Sequence, residues 1–187
     1  MEYINIITHI ILIMSLGWYL ITNLQWYNYK LERVILKHHK WQWHITYFLS
    51  PIVLFYIIPE PYYAAYFFII YMTSFILWNK KLDRAVVLTS RVKRFLAILL
   101  FTTFAMTALC LSSPSCTNMV IFTPLILTYA ISTLLEKIFF ISFKNKGKQR
   151  VKSIVGLKIV AITASYGKTS IKNYLYYVLN KKYKTYK

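Results

Sequence analysis

Acidic residues are scarce in this chain. Only 5 of 187 residues are Asp or Glu, against 23 Lys or Arg, and the formal net charge is +18. The five acids are Glu2, Glu32, Glu60, Asp83 and Glu136, so no acid follows residue 136. Charged residues of both signs make up 15% of the chain, where a soluble domain carries about 25%. Cysteine is equally sparse. Two residues, Cys110 and Cys116, cannot build a disulfide framework, and neither has zinc-ligand spacing with a histidine. Four Gly and five Pro exclude collagen-like and linker-like chains. In their place stand apolar residues, 58% of the chain, with an aromatic share of 18% and a mean hydropathy of +0.47. A disordered chain is poor in such residues.

The cations are segregated. Lys30, Arg33, Lys37 and Lys40 form one cluster. Lys80, Lys81, Arg84, Arg91, Lys93 and Arg94 form a second, and every remaining Lys and Arg lies at or beyond Lys137. Between the clusters run long apolar stretches. A helix needs about 20 apolar residues to cross the hydrocarbon core. On that basis the sequence predicts five spans, at 4–27, 45–58, 62–78, 95–111 and 119–143. The second and third form a hairpin turned by Pro59-Glu60-Pro61. Backbone in a bilayer satisfies its own hydrogen bonds, so the runs read as helices, and they lack the alternation of barrel strands. Lys and Arg stay on the cytoplasmic side. The N-terminus is therefore expected outside and the tail inside; the family resemblance given below implies a bacterial cytoplasmic membrane. The first run is too long for a signal peptide and has no basic leader. No span carries a charged residue near its middle, which argues against ion-coupled transport. Tyr and Trp near the span ends read as interfacial anchors.

Beyond residue 143 the composition changes. A basic linker, 144–156, is followed by the apolar run Lys158-Ile159-Val160-Ala161-Ile162-Thr163, which predicts a buried strand. Then comes Ala164-Ser165-Tyr166-Gly167-Lys168-Thr169, and from Ser170 a helical pattern with Ile171, Leu175 and Val178 on one face. Strand, Gly-Lys-Thr loop and helix form the layout of a phosphate-binding loop. Loop amides and a helix N-terminus aim N–H groups at phosphate oxygens. Lys168 reaches the β- and γ-phosphates, and the Thr169 hydroxyl sits on Mg²⁺. A standard loop of this type has Gly five residues before Gly167, where this chain has Ile162. The variant Thr-Gly-x-x-Gly-Lys-Thr fits better.

The stretch VAITASYGKTSIKNYL closely resembles the ATP-binding loop of the Mur ligase family. Within the family it looks like the MurF type, which adds D-alanyl-D-alanine to a UDP-muramoyl-tripeptide. The resemblance covers about 157–180, and Ala164 stands where the family usually has Gly. It implies that Thr163, Ala164, Ser165, Tyr166, Gly167, Lys168, Thr169 and Ser170 hold the phosphates of ATP, with Thr169 also on Mg²⁺. The reaction it implies activates a carboxylate as an acyl phosphate, which an amine then attacks in peptidoglycan precursor synthesis. The expected fold is an all-α membrane domain of five helices (1–143), a basic linker (144–156), and the first strand, loop and helix of an α/β ligase domain (157–187). The expected partners are the lipid bilayer, ATP, a UDP-muramoyl-peptide and a dipeptide, with no nucleic acid. The family's metal-binding carboxylate would lie beyond Lys187, so the chain reads as the N-terminal part of a longer ligase, inactive alone. The alternative is a non-enzymatic membrane scaffold with a basic cytoplasmic tail.

Overall fold

The computed structural model describes residues 2–37, 40–59, 62–83, 85–112, 122–163 and 165–185. Two compact units divide the chain, Met1–Phe140 and Ile141–Lys187.

In the first unit, α1 (Glu2–Trp26) is apolar along its length. Its hydroxyls bond back to the helix's own carbonyls. Thr8 donates to Ile4 O at 2.7 Å, Ser15 to Leu12 O at 2.8 Å and Thr22 to Trp18 O at 2.7 Å. Such back-bonding lets polar side chains sit in a dry interior. The helix ends where Asn28 and Tyr29 turn the chain at φ 55° and 58°. A short helix, α2 (Leu31–Leu36), follows and buries Val34.

Next come two helical arms, α3 (42–57) and α4 (62–80), which pack antiparallel. Each contains one π-helical turn, Ile45–Leu49 in α3 and Phe67–Tyr71 in α4. Pro51 supplies a local cause for the first. It has no N–H to give to the Tyr47 carbonyl one turn back, and a ring at that position distorts the preceding turn. The Tyr47 carbonyl accepts from the Tyr71 hydroxyl at 3.1 Å, and the Pro51 carbonyl accepts from the Tyr63 hydroxyl at 3.0 Å. The rings of Tyr63, Phe67, Tyr71, Phe75 and Trp78 follow one another up α4 with successive centroids 5.3–6.1 Å apart. Lipid tails are as apolar as Leu, so helix association in a bilayer rests on packing and hydrogen bonds rather than on exclusion of water. This ladder, packed on Leu12, Ile13, Leu16 and Tyr19 of α1, supplies both.

The remaining long helices are α5 (Ser90–Ser112) and α6 (Phe122–Ser153). Gly17 lets α1 approach α5 closely, because a Cβ there would collide with the side chain of Leu99. Gln25 grips the strap before α5 at two points. Its amide donates to Val87 O at 2.8 Å and accepts from Val87 N at 3.0 Å. Between α5 and α6, Thr102 and Thr128 share a buried hydrogen bond of 2.8 Å. Arg94 Nε donates to Glu136 at 3.1 Å, and Arg91 stands 3.8 Å from the same carboxylate with its guanidinium over the Tyr29 ring.

The second unit holds the end of α6, a turn at Ile154–Leu157 with Gly156 at φ 75°, an extended segment, and α7 (Lys168–Leu179).

Two expectations about the fold are corrected. The first is the count of five spans. Among the described residues three helices are long and apolar enough to cross a membrane: α1 over Ile4–Trp26, α5 over Ser90–Ser112 and α6 over Phe122–Ser153. The π-turns divide the hairpin arms into shorter helical pieces. The first arm, 42–57, rises about 24 Å at 1.5 Å per residue, short of the hydrocarbon thickness of about 30 Å. The second is the strand at 158–163. No strand occurs among the described residues. Ile159 and Val160 lie in extended chain and are exposed. A strand requires a neighbour to take its backbone hydrogen bonds, and among the described residues no strand lies beside this segment.

The candidate phosphate-binding loop

The eight residues expected to form the site run from the extended segment into the first turn of α7. Ala164 lies outside the described residues. Thr163 ends the extended segment, Ser165 and Tyr166 form a bend, and Gly167 precedes the helix. Lys168, Thr169 and Ser170 are its first three residues. The structure therefore brings Gly167, Lys168, Thr169 and Ser170 together at one helix terminus.

Gly167 is the hinge of this arrangement. It adopts the left-handed conformation, φ 73°, and no side chain caps the helix that follows. No atom outside its immediate neighbours lies within 4 Å of where its Cβ would stand. The glycine is thus required by backbone angle and not by crowding. Its carbonyl accepts from Ile171 N at 3.0 Å, which closes the first helical turn. The first N–H groups of any helix have no partner within it. Here those of Lys168, Thr169 and Ser170 form the positive end of a 12-residue helix dipole.

The charge around this terminus has one sign. Lys168 and Lys172 are exposed on the helix, and the sequence carries no acid between Lys137 and Lys187. An anion is the ligand such a place suits, since exposed amides, helix dipole and ammonium act in the same direction. A phosphate fits these residues. A tightly held Mg²⁺ fits less well, because it prefers several oxygen ligands and the loop offers the hydroxyls of Thr169 and Ser170 with no carboxylate. Among the described residues no cluster of His, Cys, Asp and Glu could hold a metal ion.

Sequence reasoning missed the polar contacts inside the first unit. His44 is held at both ring nitrogens, with Tyr19 Oη 2.8 Å from Nδ1 and Val34 O 2.9 Å from Nε2. A carbonyl can only accept, so in the neutral ring Nε2 carries the proton and Nδ1 accepts from Tyr19. Trp78 reads from sequence as an interfacial anchor. It is instead 4% exposed and packed among Tyr19, Trp43, Tyr47 and Phe75. A periodicity signal at 71, 75 and 78 was available for its burial, but none marked His44. No family model matches the chain, and no curated protein or solved structure does.

Proposed function

We propose that the chain forms the membrane anchor and ATP-phosphate loop of a Mur-type peptide ligase. On this reading it resides in the bacterial cytoplasmic membrane, with its N-terminus outside and residues after α6 in the cytoplasm. The observation that carries the nucleotide part is the left-handed Gly167 directly before an uncapped helix that begins with Lys168. ATP supplies the phosphoryl group that activates a carboxylate on a UDP-muramoyl-peptide, and a dipeptide amine completes the bond. Within this reaction the chain's own residues have limited tasks. The amides of Lys168 to Ser170 bind phosphate oxygens, the Lys168 ammonium neutralises charge as it builds up, and Thr169 offers one oxygen to the Mg²⁺ that accompanies ATP. Gly167 keeps a side chain out of the approach.

The orientation is supported by charge. Lys and Arg are absent between Arg94 and Lys137, the stretch that joins the far ends of α5 and α6. The cations gather at the opposite ends of these helices. Replacing five spans by three leaves the orientation unchanged, because the α3–α4 hairpin begins and ends beside basic clusters.

The test is photolabelling with an azido-ATP in membranes that contain the chain. Labelling should map to 163–173, compete with ATP, and fall roughly tenfold or more in Lys168→Ala, since a hydrogen bond to a charged group contributes about 1.5–3 kcal/mol. Labelling that is indifferent to Lys168 would remove the nucleotide reading. It would favour a scaffold whose basic tail lies on the membrane surface, as the exposed Ile171, Tyr174 and Val178 of α7 would allow.

A further inference from the structure

Two guanidiniums share one carboxylate where α5 meets α6. Arg94 donates from Nε and Nη2 to Glu136 Oε1, and Arg91 stands 3.8 Å from Oε2. Both carboxylate oxygens therefore face guanidiniums, and the cluster keeps one positive charge in excess. Exposed Lys93 and Lys137 flank it and add to that excess. Arg91 donates no hydrogen bond to any described residue, and Nη1 of Arg94 has no acceptor among them. Neither side chain is loose. The Arg91 guanidinium lies 3.6 Å over the Tyr29 ring, and that of Arg94 lies 4.6 Å over Phe139. We infer that Arg91 and Arg94 form a binding site for the phosphodiester of an anionic phospholipid. The inference needs α5 and α6 to cross a membrane, and it depends neither on the phosphate loop nor on which membrane face is cytoplasmic.

Depth places the pair among lipid headgroups. α5 has 23 residues and rises about 35 Å, a little more than the hydrocarbon core of about 30 Å. Arg91 and Arg94 stand in its first two turns, and its apolar run starts at Phe95. Lipid phosphates lie at that level. An arginine near a helix end can also snorkel to water. Such a side chain swings freely, whereas these two are held on rings and against a shared acid. Both are still about one-third exposed, so they are fixed and open at once. The Tyr29 ring is itself fixed. It packs against the cluster of Val34, Val92 and Phe95, and the backbone of Asn28 and Tyr29 takes left-handed angles that are costly for a residue with a Cβ. That turn sets the ring under Arg91. A guanidinium fork matches two phosphate oxygens, and an oriented fork loses little freedom on binding. A zwitterionic headgroup brings an ammonium that needs an acid, and both oxygens of Glu136 already face guanidiniums. A headgroup whose one charge is its phosphodiester, as in phosphatidylglycerol, meets the excess charge without that penalty.

The experiment titrates the whole chain, purified in a neutral detergent, with phosphatidylglycerol or phosphatidylcholine and counts retained lipid by native mass spectrometry. Wild type should retain phosphatidylglycerol at a several-fold lower concentration than phosphatidylcholine. Arg91→Gln should weaken phosphatidylglycerol retention about tenfold or more, the scale of a hydrogen bond to a charged group. Arg91→Lys should fall between, because the charge stays and the fork is lost. Replacing Lys148 and Lys152, exposed at the end of α6, by Gln together should leave retention unchanged. Equal retention of the two lipids by wild type would overturn the proposal. A loss in the lysine double variant with none in Arg91→Gln would give the lipid to the basic tail and overturn the arginine site. Displacement of the lipid by millimolar inorganic phosphate would assign the site to a soluble phosphate and overturn the lipid as its occupant. The wild-type comparison decides the matter if Arg91→Gln does not accumulate.

Discussion

Three tyrosines of the first unit and three of the second meet opposite surroundings. In the first, Tyr19, Tyr63 and Tyr71 are 3% exposed or less, and each hydroxyl meets a named partner, His44, Pro51 O and Tyr47 O respectively. In the second, Tyr166, Tyr174 and Tyr177 are 92%, 75% and 66% exposed. The residue type is the same, and the number of neighbouring elements differs. Residues 1–140 supply several helices with facing apolar stripes, so a ring on one finds a ring on another. Residues 141–187 supply one helix end, an extended segment and one further helix, and a small set of elements cannot close a core. Glycine repeats the contrast. Gly17 is small because Leu99 is close, whereas Gly167 is small because its backbone is left-handed and nothing is near it. The first unit is organised by packing, and the second leaves its side chains exposed.

The largest expected effect falls on the exposed unit. If the proposed ligase function holds, Lys168→Ala should lower ADP release by ~10²–10³, the usual loss on removing one preorganised contact to developing charge. Ser165→Ala should stay within a few fold, since its role in the loop reading is its backbone amide. Steady-state ADP release for both variants checks this. Equal effects from the two would erase the distinction between a binding end and a bystander.

The glycine contrast gives the next effect. Gly17→Ala should destabilise the membrane unit by about 1–3 kcal/mol through overpacking against Leu99. Gly167→Ala should leave that unit's unfolding midpoint unchanged. Its cost, about 1–2 kcal/mol, is the penalty of a Cβ in the left-handed region and should appear as weaker nucleotide labelling. Unfolding in mixed detergent micelles and azido-ATP labelling separate the two readouts. A lower midpoint in Gly167→Ala would mean that the units are not organised by different forces.

Below this comes the ion pair. Glu136→Gln leaves Arg94 and Arg91 without their shared carboxylate. Both arginines are about one-third exposed, so solvent screening trims the loss to about 1 kcal/mol. High salt should shrink the difference between wild type and variant in the same unfolding assay.

Legibility in the sequence follows the same division. Apolar runs without charge announce α1, α5 and α6, because length and composition alone decide whether a helix can cross a bilayer. The hairpin was legible as a pair of helices turned near Pro59 but not as two arms broken by π-turns. The effect of Pro51 is felt four residues back at Tyr47, whose carbonyl partner, Tyr71, lies on another helix. The predicted strand failed for a related reason. The β-branched residues Ile159, Val160 and Ile162 are a local preference, and a strand is a relation between segments. The helix α7 was legible as a periodic pattern from Ser170, two residues inside its start at Lys168, whereas the left-handed turn at Gly167 was not foreseen. His44 was invisible, because its partners sit 25 and 10 residues away and leave no periodic mark.

The smallest effect tests whether the inner hydrogen bonds of the membrane unit are worth anything beyond their packing. Thr102 Oγ1 lies 2.8 Å from Thr128 Oγ1 and also donates toward Leu99 O at 3.1 Å. Valine has nearly the shape of threonine, so Thr102→Val removes the hydroxyl and keeps most of the contact. Thr128 then loses its cross-helix partner. A hydroxyl on a helix can still turn to a carbonyl one turn back, as Thr8, Thr22 and Thr103 do in this unit. That escape caps the penalty. Interhelical side-chain bonds in membrane proteins average about 0.6 kcal/mol, because the separated helices also find partners for these groups. Thr102→Val and Thr128→Val should each cost about that much, and the double variant should cost no more than either alone. Unfolding in mixed micelles around a full double-mutant cycle gives the coupling directly. Strict additivity would assign α5–α6 association to shape and to the Arg94–Glu136 pair.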